Sequence, residues 1–290
     1  MIPAPFDYLT PESLDEAIRV LSAHGEDAKL LAGGHSLLPL MKLRLANPKV
    51  LIDLGKITGL GGIREEGDKI AIGALTTHYQ IEASGLLKEK CPLLSQTARA
   101  IGDAQVRNRG TIGGSLAHAD PAADLPAAVL ALGAELRLNG AEGERWVRAE
   151  EFFLGLMATA LRSTEILTMI RVPILSGRYG TAYLKMAQKA SGFAIVGVAA
   201  WLRVDGSGAC EGIGIGVTGL GSRPFRAGKV EERLRRKKLD SAVIEEASSH
   251  VAEGADPLED IHASAEFRAH LARVYTARAV QEAASRAVAE

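Results

Sequence analysis

The chain has 290 residues, 47% of them hydrophobic and 24% charged, with a formal net charge of -1. That is the balance of a soluble globular protein long enough for two or more domains, and it lacks the strongly basic face that nucleic acid requires of a partner. Cys91 and Cys210 are too few for a disulfide framework and too far apart for an iron–sulfur cluster ligated by this chain alone, so they read as buried small hydrophobes.

The opening MIPAPFDYLTPESLDEA has no basic start followed by an apolar run, and no stretch approaches the roughly 18 uninterrupted apolar residues of a membrane span. We therefore expect neither a secretory signal nor a membrane anchor, and a cytoplasmic, reducing location. Pro11 to Ala17 reads as a helix start, with Leu14, Ile18 and Leu21 on one face and Gly25 as its end. Lys29 to Ala32 is a short strand running into Gly33-Gly34-His35-Ser36, and Val50 to Leu54 is a second strand, together a small α/β unit of about 55 residues. From Ile63 the texture changes. A turn at Glu66-Gly67-Asp68 between Ile63 and Ile70-Ala71-Ile72-Gly73 predicts a hairpin. Helical spacing follows over 81–87 and 93–101, then a strand-to-turn transition at Thr111-Ile112-Gly113-Gly114-Ser115, an alanine-rich helix over 122–132 and a strand over 165–173. Pro173 with Ser176-Gly177 marks a boundary. Beyond it, Phe193 to Val204 and Gly212 to Val217 predict two strands joined by the tight turn Asp205-Gly206-Ser207-Gly208. Residues 230–290 predict several helices packed on that sheet. The run from Arg233 to Lys238 follows Glu231-Glu232, the pattern of a solvated helix face with i, i+4 pairs or of a docking surface for another subunit.

Two Gly-Gly turns stand out, Ala32-Gly33-Gly34-His35-Ser36 and Thr111-Ile112-Gly113-Gly114-Ser115, each after apolar residues and each ending in a hydroxyl. Amides freed of neighbouring Cβ atoms can approach a pyrophosphate, and a serine hydroxyl can donate to its oxygens. Two such turns could clamp one diphosphate, although either alone is equally a tight turn between packed elements. Neither has the spacing of a dinucleotide-binding fingerprint or a Walker A loop.

Leu30 to Ser36, read together with Gln105-Val106-Arg107-Asn108-Arg109-Gly110-Thr111-Ile112-Gly113-Gly114-Ser115, resembles the FAD subunit of the xanthine dehydrogenase and carbon monoxide dehydrogenase family of molybdenum hydroxylases. The resemblance continues through Ile72 to Thr77, Ala119 to Pro126, Glu165 to Leu167 and Tyr183 to Lys185, spanning essentially the whole chain. It implies an α+β fold. A PCMH-type FAD-binding domain over 1–177, in subdomains of about 1–57 and 58–177, would precede a C-terminal domain over 178–290 of antiparallel sheet and packed helices. It also implies an FAD shell made of Leu30, Leu31, Ala32, Gly33, Gly34, His35, Ser36 and Leu37 with Thr111, Ile112, Gly113, Gly114 and Ser115. Ile101, Asp124, Leu167 and Lys185 fall where the family places further FAD contacts. Ile101 and Leu167 read equally as core residues and Lys185 as a solvated charge, whereas Asp124 amid Ala and Leu needs a partner if buried. Phe193 stands where carbon monoxide dehydrogenases carry a tyrosine beside the isoalloxazine ring, keeping an aromatic face and losing a hydroxyl. Ser115 replaces the family's commoner asparagine, and both can hydrogen-bond a phosphate or ribityl oxygen. His35 reads as a backbone-orienting or solvent-facing residue rather than a proton donor.

The family's implied partners are a small subunit with two [2Fe-2S] clusters and a large subunit with the molybdenum cofactor, assembled as a dimer of heterotrimers. Electrons would arrive from the clusters, collect on FAD and leave to an external acceptor, with no residue of this chain acting as general acid or base or ligating a metal. Two rivals remain at this stage. One is a free-standing flavin oxidoreductase of the vanillyl-alcohol-oxidase type, which needs an acid–base constellation of its own. The other is an assembly module that lost FAD, for which damaged glycine turns would be expected.

Overall fold

The computed structural model describes residues 2–289. The chain opens with β1 (Asp7–Leu9), α1 (Leu14–His24), β2 (Ala28–Leu31), α2 (Leu37–Lys42) and β3 (Val50–Asp53), the strands forming a parallel sheet of order β1-β3-β2. Ser13 caps α1 by accepting the Glu16 amide, while the Glu16 carboxylate accepts the Glu12 amide. The helix buries Ala17, Ile18 and Leu21 against Ile52, Leu54 and Leu60. Each large apolar side chain so removed from water contributes about 1.5–3 kcal/mol.

Next come β4 (Ile63–Glu66), β5 (Lys69–Gly73), α3 (His78–Ala83), α4 (Gly85–Lys90), α5 (Pro92–Arg99), α6 (Ala104–Arg109), α7 (Ile112–His118), α8 (Leu125–Ala131), β6 (Glu135–Gly140), β7 (Gly143–Arg148), α9 (Ala149–Phe152), β8 (Phe153–Gly155), β9 (Ala158–Thr159) and β10 (Ile166–Pro173). An antiparallel sheet of order β4-β5-β10-β6-β7 carries the hairpin expected at Gly67 and the strand expected over 165–173. Helical spacing over 81–87 resolves into two helices, because the Ser84 hydroxyl accepts the Leu87 amide and starts a new one. The expected strand at Thr111 is instead a helix start. Thr111 caps α7 through the Gly114 amide, so Gly113 and Gly114 lie in the first helical turn. Helix α8 starts later than alanine content suggests, with Pro126 fixing its first turn.

The last part contains β11 (Tyr179–Ala187), β12 (Ala194–Val204), β13 (Cys210–Thr218), β14 (Phe225–Arg226), α10 (Gly228–Leu234), α11 (Ser241–Ser248) and α12 (Ala265–Ala289). The four strands form an antiparallel meander covered on one face by α12. Period-two alternation in Gly212-Ile213-Gly214-Ile215-Gly216-Val217 decides how its two faces are covered. Ile213, Ile215 and Val217 enter the core beneath α12, whereas the other face receives α8. A Cβ at Gly214 or Gly216 would lie 2.0 or 1.9 Å from the Ala131 or Ala127 carbonyl oxygen, so only glycine lets α8 pack this closely. Trp201 Nε1 closes the contact by donating to the Ala131 oxygen at 2.6 Å. The basic run departs from the expected helix face: α10 ends at Leu234, and Arg236, at φ 61, turns back so that its amide donates to the Cys210 carbonyl. One i, i+4 pair is present, Arg235 to the buried Glu231 at 3.7 Å.

Candidate functional site

A cavity of about 580 Å³ opens where the first sheet, the α6–α7 region and the β11–β12 loop converge. All the site residues expected from the sequence line it except Leu31, Ile112 and Lys185. Leu31 packs beside Gly34, Ile112 is fully buried in the main core, and the Lys185 side chain is 8% exposed and engaged elsewhere.

The two glycine turns meet but do different work. A Cβ at Gly33 would stand 2.0 Å from the Arg109 carbonyl oxygen, so this glycine lets the first turn rest directly on the second. Gly34 follows with φ 81, a left-handed conformation that strains any residue bearing a Cβ. Among the described residues, the amides of Gly34, His35 and Ser36 have no acceptor, and the Ser36 hydroxyl makes no cap bond. The second turn offers no comparable set of free donors. Its Ile112 amide donates to Thr76 O, Gly113 to Ala74 O, Gly114 to Thr111 Oγ1 and Ser115 to Thr111 O. Gly113 serves packing, since its Cβ would stand 2.5 Å from that of Ala74. The symmetric pair of amide cradles suggested by the sequence is thus corrected to one cradle, the 34–36 turn, facing a second turn whose available polar groups are hydroxyls.

His78 forms part of the wall and was not singled out from the sequence. It is 5% exposed, lies under Gly110, and its Nδ1 is buried without a hydrogen-bond partner. Burial, with His35 and Arg107 nearby, lowers its pKa to about 4. Its place at the N-terminus of α3 works in the same direction, because a helix N-terminus disfavours positive charge. Arg107 holds the neighbouring loop by donating to the Ile101 carbonyl at 2.9 Å while its Nε pairs with Glu82 at 2.8 Å. Glu165, on the cavity wall, receives two bonds of 2.7 Å from Arg145, which hold its carboxyl below the ordinary value.

Asp124 answers the need for a partner. Lys185 Nζ lies 2.9 Å from each of its oxygens, and the Tyr183 hydroxyl donates to Oδ1. Burial raises the Asp124 carboxyl against the opposing pull of Lys185 and Tyr183. Phe193, 45% exposed, stands at the cavity with Ser191 and Gly192. Met157, another lining residue absent from the sequence reading, is 47% exposed at the tip of the β8–β9 hairpin. Cys91 and Cys210 are buried thiols raised to about 12 and about 11, and no group of three or more metal-ligating side chains occurs among the described residues.

Residues 4–175 match the FAD-binding domain in molybdopterin dehydrogenase, and residues 181–283 match the carbon monoxide dehydrogenase flavoprotein C-terminal domain. The chain is 40% identical over 287 residues to the carbon monoxide dehydrogenase medium chain of Afipia carboxidovorans, covering 99% of each. It is 37% identical to the glyceraldehyde dehydrogenase medium chain of Sulfolobus acidocaldarius, covering 98% of this chain and 100% of that one. A solved carbon monoxide dehydrogenase from Hydrogenophaga pseudoflava superposes with a TM-score of 0.96 at 41% identity, covering 99% of both chains.

Proposed function

The chain belongs to the family of FAD-binding subunits of molybdopterin dehydrogenases, and from that premise we propose that it holds one FAD in the cavity described above and carries electrons from an iron–sulfur partner to an external acceptor. The observation that carries this reading is the row of unpaired amides at Gly34, His35 and Ser36 on the wall of a cavity large enough for such a cofactor. Amides left free on a cavity wall at the start of a helix are ready donors to an anion, and a diphosphate would take them. Bound there, FAD supplies the redox chemistry of the subunit.

The protein's own contribution is binding and exclusion. The first turn donates amides, and the hydroxyls of Thr111 and Ser115 face the same cavity from the second. Ile101, Leu161 and Leu167 supply apolar wall. Phe193, partly exposed on the cavity wall, would limit access of water and acceptor to a flavin bound there. His78, neutral at physiological pH, adds no charge to the wall. Since no acid–base pair is needed for electron transfer, the ion pairs of Glu165 and Asp124 serve structure.

We further assign the partners as a small [2Fe-2S] subunit and a large molybdenum-cofactor subunit in a dimer of heterotrimers, with a cytoplasmic location. The FAD domain would end at about residue 177. No described helix is long and apolar enough to cross a membrane. The free-standing oxidase alternative is disfavoured because the segment after residue 177 matches the flavoprotein C-terminal model rather than a substrate-binding domain.

The test is to purify the chain, supply FAD, and follow flavin absorbance and fluorescence through gel filtration, with Gly34→Val alongside. Flavin retained by the parent and lost by a folded Gly34→Val supports the cradle. No retention by the parent, even with its iron–sulfur partner present, overturns the reading.

A further inference from the structure

Lys185 occupies a position where an FAD contact would be natural, and its ammonium is also engaged within the protein. An ammonium has three N–H donors. One faces the Asp124 carboxylate, with Nζ 2.9 Å from each oxygen, and another reaches the Gly192 carbonyl at 2.6 Å. The side chain is 8% exposed and its partner carboxylate 5%, so the pair is desolvated and its geometry is fixed by the sheet.

The carbonyl it grips belongs to the β11–β12 connection, a strap running from Gln188 to Phe193. The strap closes on itself through the Gln188 amide to the Phe193 oxygen at 2.8 Å and the Gly192 amide to the Gln188 oxygen at 2.9 Å. Gly192, at φ 74, rests against Gly102, next to Ile101 on the cavity wall. Just past the strap, the Ala194 amide bonds the Ala122 oxygen, two residues before Asp124. Lys185 is thus the side chain that ties the strap's outer turn to the start of α8, one residue before the exposed aromatic ring.

We propose that Lys185 is a positioning residue that latches the 188–193 strap to the Asp124 carboxylate and thereby sets Phe193 over the cavity opening. The inference rests on the FAD reading of that cavity and assigns Lys185 a role that acts through Gly192 and Phe193. Tyr183 completes the latch by donating to Oδ1 of the same carboxylate, so removing the lysine alone leaves Asp124 with one donor.

The experiment uses the full chain, free and loaded with FAD, as parent, Lys185→Met, Lys185→Arg and the double variant Lys185→Met with Asp124→Asn. The double variant removes the carboxylate that would otherwise be left buried and underpaired, separating an open latch from a folding defect. Hydrogen exchange on the FAD-free chain reads the strap directly. Loss of a charge-assisted bond to Gly192 should speed exchange across residues 188–194 about ten-fold, with the body of β12 and β13 unchanged. On the loaded chain, iodide quenching of flavin fluorescence should rise several-fold while FAD remains bound, and Lys185→Arg should return both readouts toward the parent. Parental exchange of the strap in the double variant, or unchanged iodide quenching in a loaded one, overturns the latch. If the parent holds no FAD, the cavity reading fails by itself and the exchange arm still decides the latch.

Discussion

Replacing His78 with glutamine should remove most of one acid-sensitive component of stability between pH 6.5 and about 4. The folded protein lowers the His78 pKa from 6.5 to about 4, because the ring is buried near His35 and Arg107 with no acceptor for a second proton. The unfolded chain therefore takes up a proton in this window that the folded chain refuses. Above pH 6.5 both states are neutral and nothing is lost; as pH falls toward 4, unfolding is favoured progressively, and below 4 the cost is constant. The slope reaches about 1.4 kcal/mol per pH unit, and a shift of roughly 2.5 units integrates to about 3 kcal/mol. Urea unfolding followed by circular dichroism at pH 7, 6, 5 and 4 measures it. The parent should lose about 3 kcal/mol more than His78→Gln from pH 7 to pH 4, whatever the offset between them at neutral pH. Parallel pH profiles would show that His78 is readily protonated in the folded state and would refute the reasoning.

Other consequences are equally direct. Gly216→Ala should cost about 2–3 kcal/mol because its Cβ meets the Ala127 oxygen at 1.9 Å, whereas Gly212→Ala, whose nearest neighbours are Trp201 ring atoms at 3.4 Å, should change the melting temperature little. Both native thiols, raised to about 12 and about 11 by burial, should resist a disulfide reagent at pH 8 and react only on unfolding; rapid labelling of either would contradict the packing. Glu231→Gln should destabilise by about 1–3 kcal/mol in thermal melts, since the buried carboxylate accepts both the Ile215 amide and Arg226 Nε at 2.8 Å. FAD affinity should fall only weakly between low and high salt if neutral amides hold the diphosphate, and a steep fall would point to cationic side chains instead.

Where local chemistry dominates, the elements can be read from the chain. Ser13 and Gly25 bound α1, Gly67 turns the first hairpin, and the turn from Asp205 to Gly208 joins β12 to β13. Reading fails where a distant partner decides. Thr111-Ile112-Gly113-Gly114 looks like a strand running into a turn, because the bond from Thr111 to the Gly114 amide and the contact of Gly113 with Ala74 become visible only in three dimensions. The β6–β7 hairpin did leave a signal, Leu136 and Leu138 alternating before Gly140, which the sequence reading passed over. His78 gave none. A lone histidine after two threonines acquires its character from Gly110, which arrives from thirty-two residues away.

The charges around the cavity explain why this chain can carry a redox cofactor without catalytic side chains. Asp124 is matched by Lys185 and Glu165 by Arg145, so these two carboxylates spend their charge within the protein. A flavin that gains and loses electrons changes charge, and nearby mobile or titrating groups would add reorganisation to each transfer. The paired ions, the neutral buried His78 and the fixed amides add little to that response, because their dipoles are already oriented by the fold. The same reasoning accounts for the partly exposed Phe193 and Met157 at the cavity opening. An electron carrier must bring its ring near a second protein while excluding water, and apolar side chains at the opening can do both once a partner covers them.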